Sequence, residues 1–264
     1  MFFPMEFSEI LYDVRDRVAT LTLNRPTKRN ALNEPLLRDL TAGVIAASRD
    51  PAAKVVVLRA EGPAFCSGAD LEELARIQQL DLEENRVDSG RLVTLLRTLQ
   101  EMRKPVIAAV QGPALAGGAG LASACDFVIA SRERATFGYP EVAIGFIPAI
   151  VLVFLVKRVG EGRARELVLR GHTIPAEHAA AIGLITTAVP HEEVDSAARA
   201  LARELVEKNS GNAMGLCKDI LAKQQGMNMT EALDFAANMN AAARMTADCK
   251  NGIAGFLEKR PPTW

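Results

Sequence analysis

The chain has 264 residues, 49% of them apolar and 24% charged, with a formal net charge of −1. This is the profile of a soluble globular protein, and it offers no basic footprint for nucleic acid. The longest apolar stretch, Val142 to Val156, is too short for a bilayer span and is broken by Gly145 and Pro148, so no membrane partner is expected.

The first seven residues, MFFPMEF, lack the basic start and the cleavage pattern of a secretory signal. The expected compartment is the cytoplasm, with an organelle matrix as the other setting. Short apolar runs then predict strands at 9–15 (EILYDVR), 18–23 (VATLTL), 55–60 (VVVLRA), 105–110 (PVIAAV) and 126–131 (DFVIAS). Asp16 and Arg17 fall where a first hairpin would turn. Helical patterns lie between these runs, at Pro35 to Ala47, Asp88 to Met102 and Leu121 to Cys125, and the acids of ADLEEL mark another helix start near residue 70. Strands alternating with helices predict a layered α/β core over 1–195. Three amphipathic stretches, 193–209, 211–225 and 230–245, predict a helical region over 196–264. The last carries an Ala-rich face with Leu233, Ala236, Ala237, Met239 and Ala243, suited to close packing on the core or on a partner subunit.

Several chemistries lack their residues. Cys66, Cys125, Cys217 and Cys249 form no CxxC pair and read as reduced thiols. The histidines, His172, His178 and His191, include no HExxH, so no metal site is expected, and GxSxG is absent. The segment PALAGGAGLASACD (113–126) follows a strand and precedes a helix, as a dinucleotide loop would, but Ser123 stands where the third glycine of GxGxxG belongs. No Walker pattern occurs. Two readings remain for this loop. The glycines can let a helix approach a strand closely. Alternatively, an N–H at the helix start can face an oxygen that becomes negative during a reaction, given a second donor elsewhere. GPAFCSGADLEEL (62–74) offers one, being another small-residue loop between a strand and a helix start.

NRPTKRNAL (24–32), GPAFCSGADLEEL (62–74), KPVIAAVQGPALAGGAGLASACD (104–126) and FGYPEVAIGFIPA (137–149) resemble, in order and spacing, the enoyl-CoA hydratase/isomerase superfamily, the crotonases. GRARELVLRGHTIPAEHAAAIGLITTAVP (162–190) and GIAGFLEKR (252–260) extend the likeness over nearly the whole chain. The resemblance implies a spiral core of ββα units, a C-terminal helical trimerisation region, and a homotrimer or dimer of trimers. It implies an acyl-CoA thioester as substrate, with coenzyme A part of that substrate and no separate cofactor. Carried over by motif, the oxyanion donors are the backbone N–H groups of Ala69 and Gly117. The CoA contacts are Lys28, Arg29, Ala64, Ser67 and Asp70, with Phe256 and Lys259 reaching a neighbouring subunit's CoA.

Hydratases of the superfamily generally use two glutamates. The second is present here as Glu141; the first position is Gly120. Apolar surroundings after Glu141 are expected to raise its pKa toward that of a proton shuttle. Tyr139 is a candidate to hold a water, and His172 is expected to be peripheral. The expected function is enoyl-CoA hydration through an enolate held in the oxyanion hole. The alternatives are a 3,2-enoyl-CoA isomerase using Glu141 alone and, in another class, a noncatalytic acyl-CoA-binding subunit.

Overall fold

The computed structural model describes residues 7–264, so the start of MFFPMEF, residues 1–6, lies outside the described residues. Strands β1 (Ile10–Arg15) and β2 (Val18–Leu23) form an antiparallel hairpin. Its two turn residues, Asp16 (φ 50°) and Arg17 (φ 63°), are both left-handed, the backbone twist that suits a two-residue hairpin. Helix α1 (Glu34–Arg49) starts where the Asn33 side chain accepts the N–H of Leu36. Then come β3 (Val55–Ala60), α2 (Leu71–Ile77) and α3 (Leu82–Glu101). The α3 helix begins six residues before its apolar periodicity does, because Asp81 and Glu84 form a reciprocal capping box.

Next are β4 (Val106–Val110), β5 (Ala114–Leu115), α4 (Gly117–Ala124), β6 (Phe127–Ser131) and β7 (Thr136–Gly138). A 3-10 turn, Pro140–Ile144, leads into α5 (Ala149–Arg170), which is kinked at Gly160 (φ 74°). The chain continues through β8 (Thr173–Pro175), α6 (Ala176–Ala181), β9 (Thr187–Val189) and α7 (Val194–Lys208). It closes with α8 (Gly211–Lys223), α9 (Met229–Met245) and α10 (Ala247–Leu257).

The main sheet has the order β1-β2-β3-β4-β6-β9, parallel throughout except for the first pair; β5, β7 and β8 form a second, smaller sheet. All five predicted strands occupy the main sheet. In β3, Val56 and Leu58 join the core that includes α1 and α3, while Val55 and Val57 face α7 through Val194, Ala198, Ala202 and Leu205. Both faces of the strand are therefore buried, which is why VVVLRA is almost continuously apolar. The expected boundary at residue 195 falls at the start of α7, and that helix packs on the sheet. By contrast, α9 has no buried residue, and its Leu233, Ala236 and Ala237 line an open depression.

Candidate active site

Three chain segments are fastened together at the carboxyl ends of β2, β3 and β4. Asn30, fully buried, donates from Nδ2 to the carbonyls of Glu61 (2.8 Å) and Ala64 (2.9 Å) and accepts the N–H of Arg25. Leu32 donates its N–H to Gly68 and accepts that of Asp70, at 2.7 and 2.9 Å. This parallel bridge leaves the N–H of Ala69, the residue between, without an acceptor among the described residues. The loops 62–70 and 113–117 are then joined directly: Phe65 N–H donates to Pro113 O (3.1 Å) and Leu115 N–H to Cys66 O (3.0 Å).

The sequence suggested that the three glycines form a loop; the structure places them in the first turn of α4. The reason is steric. A Cβ on Gly118 would stand 2.7 Å from Cys66 Cβ and close to its carbonyl, so glycine is what permits the helix to start against the 62–70 loop. Ala116, just before α4, has φ 50° and ψ −120°, a conformation that strains any residue with a side chain. This leaves the N–H of Gly117 at the helix start, again with no acceptor among the described residues. The two candidate donors thus come from adjoining loops, and that of Gly117 opens α4, where the peptide dipoles favour negative charge.

Glu141 sits in the 3-10 turn after β7 and is 9% exposed. Its Oε2 is buried without a hydrogen-bond partner among the described residues. Burial pushes its carboxyl above the ordinary value, partly offset by its own backbone N–H. Tyr139 is fully buried, and its hydroxyl lies 3.4 Å from Ser123 Oγ, so it is engaged with α4. His172 lies at the start of β8, beside β7. Asp126 is structural: its Oδ2 accepts the N–H of Val106 at 2.7 Å and pairs with Lys218.

At Gly120 the structure shows what replaces a side chain. A Cβ there would stand 2.6 Å from Val151 Cβ, with Val151 Cγ1 closer still. The first turn of α5 has closed on α4. Val151 lies inside the apolar run 142–156, and nothing in its local pattern marks this long-range contact.

The remaining candidates are spread around this centre. Lys28 and Arg29 are exposed in the 24–32 segment; Lys28 Nζ pairs with Glu72 at 2.8 Å, which holds the ammonium above its usual pKa. Ala64 is buried and Ser67 half-buried. Asp70 is buried, with Oδ1 capping α2 through Glu72 N–H and Oδ2 paired with Arg25 at 3.0 Å. Sequence reading missed Arg25, whose side chain is 12% exposed and also pairs with Glu9 at 2.9 Å. Phe256 (84% exposed) and Lys259 lie on and just beyond α10, which packs on α8 and α9. Among the described residues, no group of three or more His, Cys, Asp or Glu is placed to hold a metal, and no helix is long and apolar enough to cross a membrane.

Residues 13–264 match the family model described as enoyl-CoA hydratase/isomerase. A Thermus thermophilus protein bearing an enoyl-CoA hydratase name is 42% identical over 248 residues, 94% of this chain and 97% of its own length. The 2,3-dehydroadipyl-CoA hydratase of Escherichia coli is 36% identical over 256 residues, 97% of this chain and 98% of its own. The crystal structure of an enoyl-CoA hydratase from Mycobacterium smegmatis superimposes with a TM-score of 0.92 at 31% identity, covering 97% of this chain and 99% of that one. Strand order, joined loops and these likenesses agree: the chain belongs to the enoyl-CoA hydratase/isomerase family.

Proposed function

We propose that the chain hydrates enoyl-CoA thioesters, with Glu141 as its acid and base and the N–H groups of Ala69 and Gly117 as the oxyanion donors. The observation that carries this reading is the buried carboxylate of Glu141, with one oxygen unpartnered and its pKa raised by desolvation. A carboxyl whose pKa is raised holds a proton more readily than an exposed one and is better matched to giving and taking protons in turn. In hydration, the water oxygen bonds to C3 of the 2-enoyl thioester while its proton passes to Glu141. The electron pair of the double bond moves toward the thioester oxygen, where the two N–H groups hold it. The same carboxyl then protonates C2 and is regenerated.

A second reading is favoured by the Gly120–Val151 contact, which leaves α4 without a carboxylate at that position. One carboxylate suffices to shift a 3-enoyl to a 2-enoyl thioester: Glu141 takes the C2 proton, the dienolate rests in the oxyanion hole, and the proton returns at C4. The binding role falls to Lys28 and Arg29 for CoA phosphates, with Ala64 and Ser67 along the CoA and Phe256 and Lys259 contributed from a neighbouring subunit. Asp70 supports that wall through Arg25. The unburied apolar face of α9 supports assembly as a homotrimer or dimer of trimers, in the cytoplasm or an organelle matrix. Assaying crotonyl-CoA and a 3-enoyl-CoA side by side tests the reading. Hydration of crotonyl-CoA supports it; an active 3-enoyl shift with no hydration leaves the isomerase; neither activity points to a binding subunit.

A further inference from the structure

The wall beside Gly120 belongs to α5, and its geometry leaves little freedom. Besides Cβ and Cγ1, the Cα of Val151 would lie 3.5 Å from a Cβ at residue 120. The obstruction is therefore the root of a branched side chain on a helix, not the movable end of a long one. Only glycine fits at 120 while α5 keeps its place. Val151 is 3% exposed and packed in the main core with Leu121 and Leu155. Gly120 lies three residues beyond Gly117, which puts both on one side of α4. The α5 helix also packs against the turn that carries Glu141. Donor helix, base and apolar wall thus share one neighbourhood, and the wall is an isopropyl group where α4 has no side chain at all.

We infer that Val151 is the specificity-determining residue of this site, setting the partition between water addition to a 2-enoyl thioester and the allylic shift of a 3-enoyl thioester. The inference rests on Glu141 acting as the acid and base. Both routes pass through an enolate beside the same carboxyl. Both return the carboxylate to its starting state, and water is the only co-reactant. They differ in whether a water can be held beside the acyl chain. An isopropyl group offers that water no hydrogen bond, so the α4 side favours return of the proton to carbon. A polar or smaller residue at 151 opens the side to water.

The test uses the full-length protein with Val151→Ala and Val151→Thr, each assayed for crotonyl-CoA hydration and for the shift of a 3-hexenoyl thioester. The ratio of hydration to shift is expected to rise in both variants. The larger rise, about tenfold, is expected in Val151→Thr, on the scale of one added hydrogen bond. Leu155→Ala, one turn further along α5, is expected to lower the melting temperature and leave the ratio unchanged. Thr nearly preserves the shape of Val, so Val151→Thr carries the test even if Val151→Ala does not fold. A ratio within about twofold of the parent in the folded variants overturns the inference. The foundation is checked separately: retention of both activities in Glu141→Gln sinks the acid–base reading itself, whereas an unchanged ratio with Glu141 still required sinks only the role of Val151.

Discussion

The backbone N–H of Ala116 donates to the carbonyl of Gly138 at 2.8 Å. This bond ties the residue before α4 to the end of β7, three residues from Glu141, so the candidate donor and base are held by one short connection. Ala116 accepts a strained backbone to make it, with φ 50° and ψ −120°. Glycine adopts that conformation freely. Ala116→Gly is therefore expected to leave the protein as stable or stabilise it by about 1 kcal/mol, the strain relieved less the added chain entropy. Ala116→Val is expected to destabilise it by more than about 2 kcal/mol. Urea titration of the two variants checks both signs.

The Gly120–Val151 contact makes a second prediction about stability. Gly120→Ala forces a methyl into occupied space and is expected to cost about 1–3 kcal/mol. In Gly120→Ala/Val151→Ala the space is returned, and the double variant is expected to be more stable than the sum of the single changes. Simple additivity in a thermal-melt cycle would show that the two helices do not meet as described.

For the oxyanion hole, the change must remove one N–H and little else. Replacing the peptide link at residue 117 by an ester does so. The expected loss is about 10²–10³ in kcat with KM little changed, because the hydrogen bond strengthens as charge develops on the thioester oxygen. An equal rise in KM with kcat preserved would make this N–H a binding contact instead.

Asp70 separates support from ligand contact. Burial alone would raise its carboxyl, but the α2 amide and Arg25 outweigh that and hold it below the ordinary range. A depressed folded pKa contributes stability above the unfolded value of about 3.9, lost as pH falls through the folded one. Asp70→Asn leaves Arg25 partly unpaired beside Glu9, with an expected cost of up to about 3 kcal/mol at pH 7. The difference from the parent should shrink in acid. Denaturant midpoints at pH 7 and pH 3, read beside CoA affinity, check this; a large affinity loss at unchanged stability would make Asp70 a direct CoA ligand.

The parts of this architecture legible in the sequence are those whose cause is local. Of the five runs predicted for the main sheet, β2, β3, β4 and β6 are largely buried, and burial wrote them as apolar stretches; β1, at the sheet edge, exposes alternate residues. The hairpin turn at Asp16 and Arg17 and the helix start at Asp70 were legible for the same reason. The small sheet was not, since β5 has two residues and β7 and β8 three each, too few for a period to emerge. Nor was the start of α4: glycine disfavours helix, and the packing of Gly118 on Cys66 that overrides this is between residues 52 apart in the chain. Glu141 was identified through motif resemblance and its desolvation was expected from the apolar stretch that follows it, while its unpartnered oxygen needed the fold. Val151 was hidden within an apolar run, and its role depends wholly on which helix it faces.

Ionised Glu141 also leaves a mark on stability. A folded pKa above the unfolded value means stability is fullest below the ordinary carboxylate range and declines as pH rises through the folded pKa. Glu141→Gln is thus expected to raise the melting temperature at pH 7 and to lose that advantage below about pH 4. Equal melting temperatures at both pH values would mean that burial of the charge is not felt.

The central claim, that one carboxylate does the chemistry, is tested most directly by the pH profile of kcat/KM for the parent and for Glu141→Gln on crotonyl-CoA and a 3-enoyl-CoA. The parent is expected to lose activity as pH falls through a pKa above the usual glutamate range, because the proton acceptor is then protonated. Glu141→Gln is expected to lose about 10²–10⁴ in rate on whichever substrate the parent turns over, and with it the acid limb. A Glu141→Gln enzyme that keeps its rate, or keeps the same acid limb, would contradict the account.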